Sequence, residues 1–399
     1  MRIRKHKISR TNMSSYSSQH RLAALDVLRG VAVLLVLFNH MPAKDIHWRL
    51  LSGIRSFGWT GVDLFFVLSG YLISSLLFRE LEATNTLNIG RFLLRRGLKI
   101  WPSYYVAYGI MLLSHSASLA LQGRSRQLPA LLLPQWPNLV FVQNYAPAAT
   151  RWTHSWSLAV EEHFYIALPV LLLFLWKTGK AALLPCICAL VGICTLVARL
   201  LCAHAWGYSW DALYYPTHLR ADALMFGVFI GYLHASRPDL FRTFASRCRF
   251  AIPAVLIVPI LANAFPLQSS SFVPTVGFTL FYAAYGILVT VGAEYPGIFS
   301  VYGTRTLARS LRFLGRYSYT IYLAHSVVFE LSGATPIMSF VHRIGGAWAQ
   351  PVAFFIVSIA AGIVLSRFVE LPILTLRDKW IPANRRPSPR IASAAAAFA

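Results

Sequence analysis

Apolar runs long enough to cross a lipid bilayer recur along the whole chain, and they restrict it to a membrane fold. The composition agrees, because 56% of the 399 residues are hydrophobic and only 13% are charged, whereas soluble domains carry about a quarter charged residues. We therefore predict an all-α polytopic membrane protein with about ten transmembrane helices. The predicted spans lie near residues 24–42, 61–79, 102–121, 155–176, 181–203, 218–235, 250–266, 274–293, 313–334 and 350–373.

The distribution of Lys and Arg predicts the orientation of these spans. With both termini in the cytoplasm, most of the 37 basic residues fall in cytoplasmic segments, as the positive-inside rule requires. The net charge of +23 then faces anionic membrane lipids and needs no nucleic-acid partner. We predict one transmembrane domain over 21–376 between basic tails at 1–20 and 377–399, which look disordered. A short, proline-broken segment near 128–145 is predicted to be re-entrant or interfacial.

The first span carries two ionisable side chains on one face. It reads LDVLRGVAVLLVLFNH, and Arg29 and His40 stand eleven residues apart in it. Eleven residues make almost three complete helical turns, so both side chains point the same way, about 16 Å apart along the axis. The span therefore presents one polar group near each membrane surface.

Other ionisable residues begin their spans at the outer surface, at the level of His40. They are Asp63, Glu161 and Asp222, and Arg220 lies at the same depth. On the helix that holds Glu161, the i, i+4, i+8 spacing of Ser157, Glu161 and Tyr165 predicts one polar stripe. A histidine beside carboxylates in a dry pocket suits general-base catalysis. The alternative is a packing role, which is equally open for His40 and favoured for His325.

A basic cluster lies at the cytoplasmic end of the third predicted span. In NIGRFLLRRGLKIWPSYY, the cluster consists of Arg91, Arg95, Arg96 and Lys99. Such density suits a multiply phosphorylated ligand, although ordinary positive-inside charge is the simpler interpretation. The sequence has no P-loop and no Gly-rich dinucleotide loop, and its Cys-x-Cys pair in an apolar span lacks a nearby His, so we expect no metal site.

Seven stretches in this order resemble the membrane acyltransferase-3 family, the polytopic O-acyltransferases of bacterial surface glycans. They are LDVLRGVAVLLVLFNH, GVDLFFVLSGYLI, FLLRRGLKIWPSYY, WSLAVEEHFY, LRADALMFGVFIG, LGRYSYTIYLAHSVV and RFVELPI. The resemblance implies about ten helices, acetyl- or acyl-coenzyme A as the cytoplasmic donor, and an acceptor hydroxyl on the outer side. Many relatives carry a further C-terminal hydrolase-like domain, which we do not expect here.

The resemblance also implies roles for individual residues. Arg29 and His40 match an essential Arg-x10-His pair, and Glu161 matches the glutamate of WSLxxE. Arg95, Arg96 and Lys99 match a donor-binding Arg-Arg-x-x-Arg motif, in which Lys99 keeps the charge but loses the planar fork. The chain also departs from the family pattern in reading EEH where EEQ is usual.

These observations lead to one functional expectation and two alternatives. We expect an O-acyltransferase of the bacterial plasma (inner) membrane that moves an acyl group, acetyl being favoured, from acyl-CoA to a glycan or lipid-linked saccharide. No tightly bound cofactor is expected. His40, held by Glu161 or Asp63, would accept the hydroxyl proton, and an acyl-histidine relay stays open. The alternatives are a transporter or flippase, which more often shows inverted repeats, and a structural subunit or sensor.

The expected site residues fall into three groups. The catalytic group comprises His40, Glu161, Asp63 and Arg29, and the donor-binding group comprises Arg91, Arg95, Arg96 and Lys99. The substrate-binding group comprises Ser69, Trp156, Arg220, Asp222 and His325.

Overall fold

The computed structural model describes residues 10–42, 48–147, 150, 152–206, 209–265, 270–301, 305–334, 346 and 348–382. Within these residues every regular element is helical, as predicted. The first half of the chain contains α1 (Arg10–His40), α2 (Arg49–Phe57), α3 (Gly61–Thr84), α4 (Ile89–Leu121), α5 (Leu128–Leu132), α6 (Trp156–Lys177) and α7 (Leu184–Trp206). The second half contains α8 (Trp210–Tyr214), α9 (Ala221–Ser236), α10 (Pro238–Cys248), α11 (Ile257–Ala264), α12 (Phe278–Glu294), α13 (Ile298–Val301), α14 (Arg305–Arg316), α15 (Ser318–Ala334), α16 (Ala349–Leu365) and α17 (Leu371–Trp380).

Seven helical stretches in the described part of the chain are long and apolar enough to cross a membrane. They are Ala23–His40, Arg49–Thr84, Thr153–Lys177, Ala181–Ala205, Pro238–Ala264, Val273–Glu294 and Ala349–Trp380. The predicted spans near 102–121, 218–235 and 313–334 are helical but are not among these seven. The chain is thus a multi-pass membrane protein, and the expected total of ten spans stays a prediction.

The helices pack closely where small residues remove side-chain bulk. A methyl group added to Gly70 would collide with the backbone of Leu224, and one added to Gly227 would collide with that of Val67. The backbones of α3 and α9 therefore touch, as they do at small-residue interfaces of membrane helices. This contact brings the N-terminal ends of both helices, with Asp63 and Asp222, to the same level.

The segment predicted to be re-entrant or interfacial forms only short helical turns. The 3₁₀ turn Leu133–Leu139 follows α5, and its backbone carbonyls accept hydrogen bonds from α4. Tyr108 donates to Gln135, Tyr104 to Asn138 and Tyr105 to Leu139, over 2.9, 3.0 and 2.8 Å. The tyrosine hydroxyls thus satisfy carbonyls that an extended helix would have paired internally.

The predicted tails are partly helical. Helix α1 begins at Arg10, inside the expected N-terminal tail, and α17 continues to Trp380, beyond the expected start of the C-terminal tail. Residues 1–9 and 383–399 lie outside the described residues.

Candidate active site

A cavity of about 370 Å³ lies at the His40 end of α1. Aromatic and polar side chains share its wall. The aromatic members are Trp59, Trp156, Tyr214, Tyr215 and Tyr322, and the polar members are Asn39, His40, Ser56, Thr153, His154 and Asn263. A concave site with an aromatic wall and a few polar groups is the usual form of a small-molecule pocket.

The hydrogen bonds of His40 define which of its ring nitrogens is available. Nδ1 lies 3.0 Å from the carbonyl oxygen of Val36, one turn earlier in α1. A carbonyl only accepts, so Nδ1 carries the hydrogen and donates it, leaving Nε2 with its lone pair. The Asn39 amide reaches this Nε2 at 3.4 Å, a long contact that an incoming hydroxyl could replace. The geometry gives His40 the tautomer of a general base.

Two further histidines surround His40. The ring of His154, in the 3₁₀ turn Thr153–Ser155, lies 4.5 Å from that of His40 between centroids. The ring of His325, on α15, lies 5.1 Å from it, and His325 donates from Nδ1 to the Tyr322 carbonyl. Among the described residues, Nε2 of His325 and Nδ1 of His154 are buried without a hydrogen-bond partner. We call these three residues the histidine cluster.

A column of hydroxyl groups continues from the histidine cluster into the helix bundle. Tyr322 donates its hydroxyl hydrogen to the His154 carbonyl, at 2.8 Å, and its oxygen lies 2.7 Å from that of Ser157. One turn further along α6, Tyr165 donates to Glu161 at 2.5 Å and contacts Ser69 at 3.0 Å. The predicted polar stripe of α6 is therefore confirmed, and it lies between the histidine cluster and the charged end of α1.

The other end of this column carries the cations Arg29, Arg96 and Lys99, and we call it the basic or cationic end. The guanidinium charges of Arg29 and Arg96 both act on the Glu161 carboxyl, and the charges of Arg29 and Arg96 also act on Lys99. Lys99 forms an ion pair of 3.2 Å with Glu370, which also accepts a hydrogen bond from Ser366. Arg29 itself pairs with Asp26 at 3.2 Å, and its side chain stays 37% exposed. Arg29 is therefore both held by its neighbour and accessible.

The remaining two members of the predicted donor site contact the C-terminal helix. Arg91 donates to the Pro382 carbonyl at 2.5 Å, and Arg95 donates to the Ile381 carbonyl and to Asp378, the latter at 2.9 Å. Arg91 and Arg95 thus fix α17 against α4. Arg96 is half-buried, with its guanidinium 5.9 Å from the centre of the Phe92 ring.

The structure gives Asp63, Arg220 and Asp222 partners other than His40. Asp63 pairs with Arg220 at 2.6 Å and Arg199 with Asp222 at 2.8 Å, and all four side chains are buried. The Arg220 guanidinium also lies 3.9 Å from the Phe278 ring and stacks against Trp156 and Tyr214. These pairs support the aromatic wall of the cavity from behind.

The site residues predicted from sequence thus divide by location. Within the described residues, no carboxylate bonds to His40, since Asp63 binds Arg220 and Glu161 binds Tyr165. Trp156 lines the cavity, His325 joins the histidine cluster, and Ser69 belongs to the hydroxyl column. His154 was not predicted, and the signal that could have found it is its place two residues before the WSL motif, at the mouth of α6. The described residues hold no group of His, Cys, Asp and Glu arranged as a metal site.

The chain is 28% identical over 376 residues to the peptidoglycan O-acetyltransferase OatA of Listeria monocytogenes. The aligned region covers 89% of this chain and 56% of that protein. The chain is 25% identical over 375 residues to the O-acetyltransferase OatA of Staphylococcus aureus, covering 90% of this chain and 58% of that protein. The chain therefore spans less than two thirds of the length of these relatives. No solved structure matches it.

The sequence profile of the acyltransferase-3 family, described as an acyltransferase domain, matches residues 22–369. This range begins within α1, four residues before Asp26, and ends in the π-helical turn Ser366–Glu370. It includes the cavity, the histidine cluster and the basic end. The chain therefore belongs to the acyltransferase-3 family.

Proposed function

We propose that this protein is an O-acyltransferase of the bacterial plasma membrane that moves an acyl group, acetyl in the first place, from acyl-CoA to a glycan hydroxyl. The observation that carries the proposal is the layout of α1. In the single continuous helix α1, Arg29 lies accessible among other cations. About 16 Å further along the axis, His40 lies in the cavity wall, and only a long contact with Asn39 reaches its Nε2.

The acceptor side of the proposal rests on the cavity. Planar aromatic rings such as Trp59, Trp156 and Tyr214 offer faces on which the C–H surface of a sugar can pack, and Asn39, Ser56 and Asn263 offer hydrogen bonds to its hydroxyls. One relative is named as a peptidoglycan O-acetyltransferase. A glycan, free or linked to a lipid, is the acceptor class that fits both.

The donor side rests on the cationic end. Arg29, Arg96 and Lys99 act on one another electrostatically, so an anion placed among them would relieve repulsion between like charges. Coenzyme A carries several phosphate charges on its nucleotide, followed by a long, uncharged arm that ends in the thiol. The arm would follow the hydroxyl column toward the histidine cluster.

The chemical step then requires only a base and a thioester. The acceptor hydroxyl gives its proton to Nε2 of His40 while its oxygen attacks the thioester carbonyl carbon. Collapse of the tetrahedral adduct breaks the carbon–sulfur bond and forms the ester. The coenzyme A thiolate leaves and takes up the proton that His40 holds, which restores the neutral histidine. Transfer through an acyl-histidine would need the same residue as a nucleophile.

Release of thiol tests this proposal directly. Purified protein in vesicles would be given acetyl-CoA with and without a glycan acceptor, and free thiol would be measured by a colorimetric reagent. We expect acceptor-dependent thiol release with one ester formed per thiol. Uptake of labelled saccharide into vesicles without thiol release would identify a transporter or flippase, and neither signal would identify a structural or sensory role.

A further inference from the structure

The helix α14 presents a row of four arginines along one side. The row consists of Arg305, Arg309, Arg312 and Arg316. At 100° per residue, these positions fall within about 60° of one another around the helix axis. Three of the four side chains are exposed and the fourth is half-buried. We call these four residues the arginine stripe.

The charges of the arginine stripe are not neutralised by the part of the chain that the structure describes. None of the four guanidinium groups has a hydrogen bond or an ion pair with a described residue. This sets the stripe apart from Arg91, Arg95 and Lys99, which have partners on or beside α17. An anion from outside the chain is therefore the partner that the stripe lacks.

Exposed apolar residues elsewhere around α14 indicate which surface this helix meets. Leu307 is 53% exposed and Phe313 is 45% exposed, both on the same helix. Exposed arginines are unfavourable in hydrocarbon, and exposed Leu and Phe are unfavourable in water. A helix that exposes both lies at the headgroup level, where phosphate meets acyl chain. The guanidinium fork matches a phosphate oxygen pair at that level.

The packing of α14 links this surface to the basic end of α1. A methyl group on Gly30 would collide with the Leu311 backbone, and one on Gly315 would collide with the Asp26 backbone. The two helices therefore touch backbone to backbone on both sides of Arg29 along α1. A displacement of α14 cannot be absorbed by side chains and has to move the turn that carries Arg29.

We propose that the arginine stripe of α14 binds anionic phospholipid headgroups and that this contact holds Arg29 in its donor-binding position. The first half of the proposal is independent of the enzyme's chemistry. The second half rests on the proposed function, because it assigns Arg29 to the donor.

The lipid contact is tested by thermal unfolding of the purified full-length protein in detergent. We expect Tm to rise as dioctanoyl phosphatidylglycerol is added and to stay unchanged with dioctanoyl phosphatidylcholine. Replacement of the whole arginine stripe by Gln should raise the half-saturating phosphatidylglycerol concentration by at least about tenfold. Replacement by Lys should retain most of the response, since it keeps the charge.

A matched control removes the same number of charges elsewhere. Its substitutions are Arg79→Gln, Arg242→Gln, Arg247→Gln and Arg249→Gln, and it should respond to phosphatidylglycerol as the wild type does. An equal loss in both variants, or a wild-type response in the stripe variant, would overturn the proposed site. Calorimetry with coenzyme A tests whether the stripe binds the phosphates of coenzyme A and not those of the lipid. A stripe variant that no longer binds coenzyme A but keeps its response to phosphatidylglycerol would contradict the lipid assignment.

The coupling to Arg29 has its own measurement. In vesicles of phosphatidylcholine, we expect addition of phosphatidylglycerol to lower the KM for acetyl-CoA in the wild type but not in the stripe variant. Intact lipid binding with an unchanged KM would overturn the coupling. Absence of thiol release by the wild type in any lipid would instead count against the proposed function and would leave the Tm result standing.

Discussion

At the scale of single residues, the neighbours of His40 determine its tautomer and the orientation of its ring. Its Nδ1 hydrogen is held by the Val36 carbonyl, and its ring is enclosed by those of His154, His325 and Phe329. Such enclosure fixes the direction of the Nε2 lone pair. The orientation of a catalytic group has a large effect on the reaction rate, because displacing it by about 1 Å can lower the rate about a hundredfold.

Replacement of His154 tests this enclosure. We expect His154→Gln to lower the rate of acyl transfer by about tenfold or more and to leave the KM for acyl-CoA unchanged, because the donor's charged end lies elsewhere. Steady-state thiol release gives both constants. His163→Gln is the control, since His163 bonds to Thr217 outside the histidine cluster; a larger loss in that variant would contradict the role given to His154.

Asp63 offers a second test at this scale, because sequence and geometry assign it differently. As the buried partner of Arg220 it should be structural, so Asp63→Asn should lower the free energy of unfolding by about 3–5 kcal/mol. The double change Asp63→Leu with Arg220→Met removes both charges and should recover much of that loss. Normal stability in Asp63→Asn, together with loss of turnover, would restore the catalytic assignment.

The sequence predicts residue types better than residue partners. Arg29 and His40 could be placed on one face because they share a helix, whose geometry is fixed. Asp63 and Arg220 were expected at one depth, but their direct pairing depends on how α3 and α9 rotate against each other. The contact between His40 and His154 depends on a loop before α6, and no periodicity reports the conformation of a loop.

At the scale of helices, the contact between α1 and α14 is the tightest constraint on the basic end. Gly30 and Gly315 allow the two backbones to meet, so each helix fixes the other's position. No local sequence pattern predicts this contact, because the two glycines lie 285 positions apart in the chain.

This contact predicts opposite results for two substitutions of the same kind. Gly30→Ala should destabilise the protein by about 1–3 kcal/mol, because the added methyl group overlaps the Leu311 backbone. Gly109→Ala, in the middle of α4 with open space around the added methyl group, should stabilise it by about 0.5–1 kcal/mol through helix propensity. Thermal unfolding of both variants measures this difference. Equal Tm values would contradict the close packing of α1 against α14 at Gly30.

We expect two arginines of α4, Arg95 and Arg96, to contribute differently to coenzyme A binding, because their side chains have different partners. The Arg96 charge interacts with those of Arg29 and Glu161, whereas Arg95 is bound to Asp378 and Ile381. We expect Arg96→Ala to weaken coenzyme A binding by about tenfold or more, the loss typical of a hydrogen bond to a charged group. Arg95→Ala should weaken it less and should lower Tm by releasing α17. If calorimetry showed that Arg95→Ala weakens coenzyme A binding more than Arg96→Ala does, the donor would instead lie against α17.

At the scale of the whole molecule, two polar regions are joined through an apolar bundle. The histidine cluster, the hydroxyl column and the cationic end follow one another along α1, α6 and α15. Large apolar residues such as Leu201 and Phe368 are exposed on the surface of the bundle. A membrane protein keeps such a polar interior only where it has a use for it. Transfer between a donor that binds at one end and an acceptor that binds at the other is the use we propose.

In the proposed mechanism, His40 performs the chemistry while the donor is held at the other end of α1. Thiol release and coenzyme A affinity, measured side by side for His40→Gln and the wild type, test this division of roles. We predict that His40→Gln lowers the rate by about 100-fold or more, as expected for a lost general base, and leaves the Kd for coenzyme A unchanged. A variant that turns over at the wild-type rate, or one that loses coenzyme A binding in proportion to its rate, would contradict it.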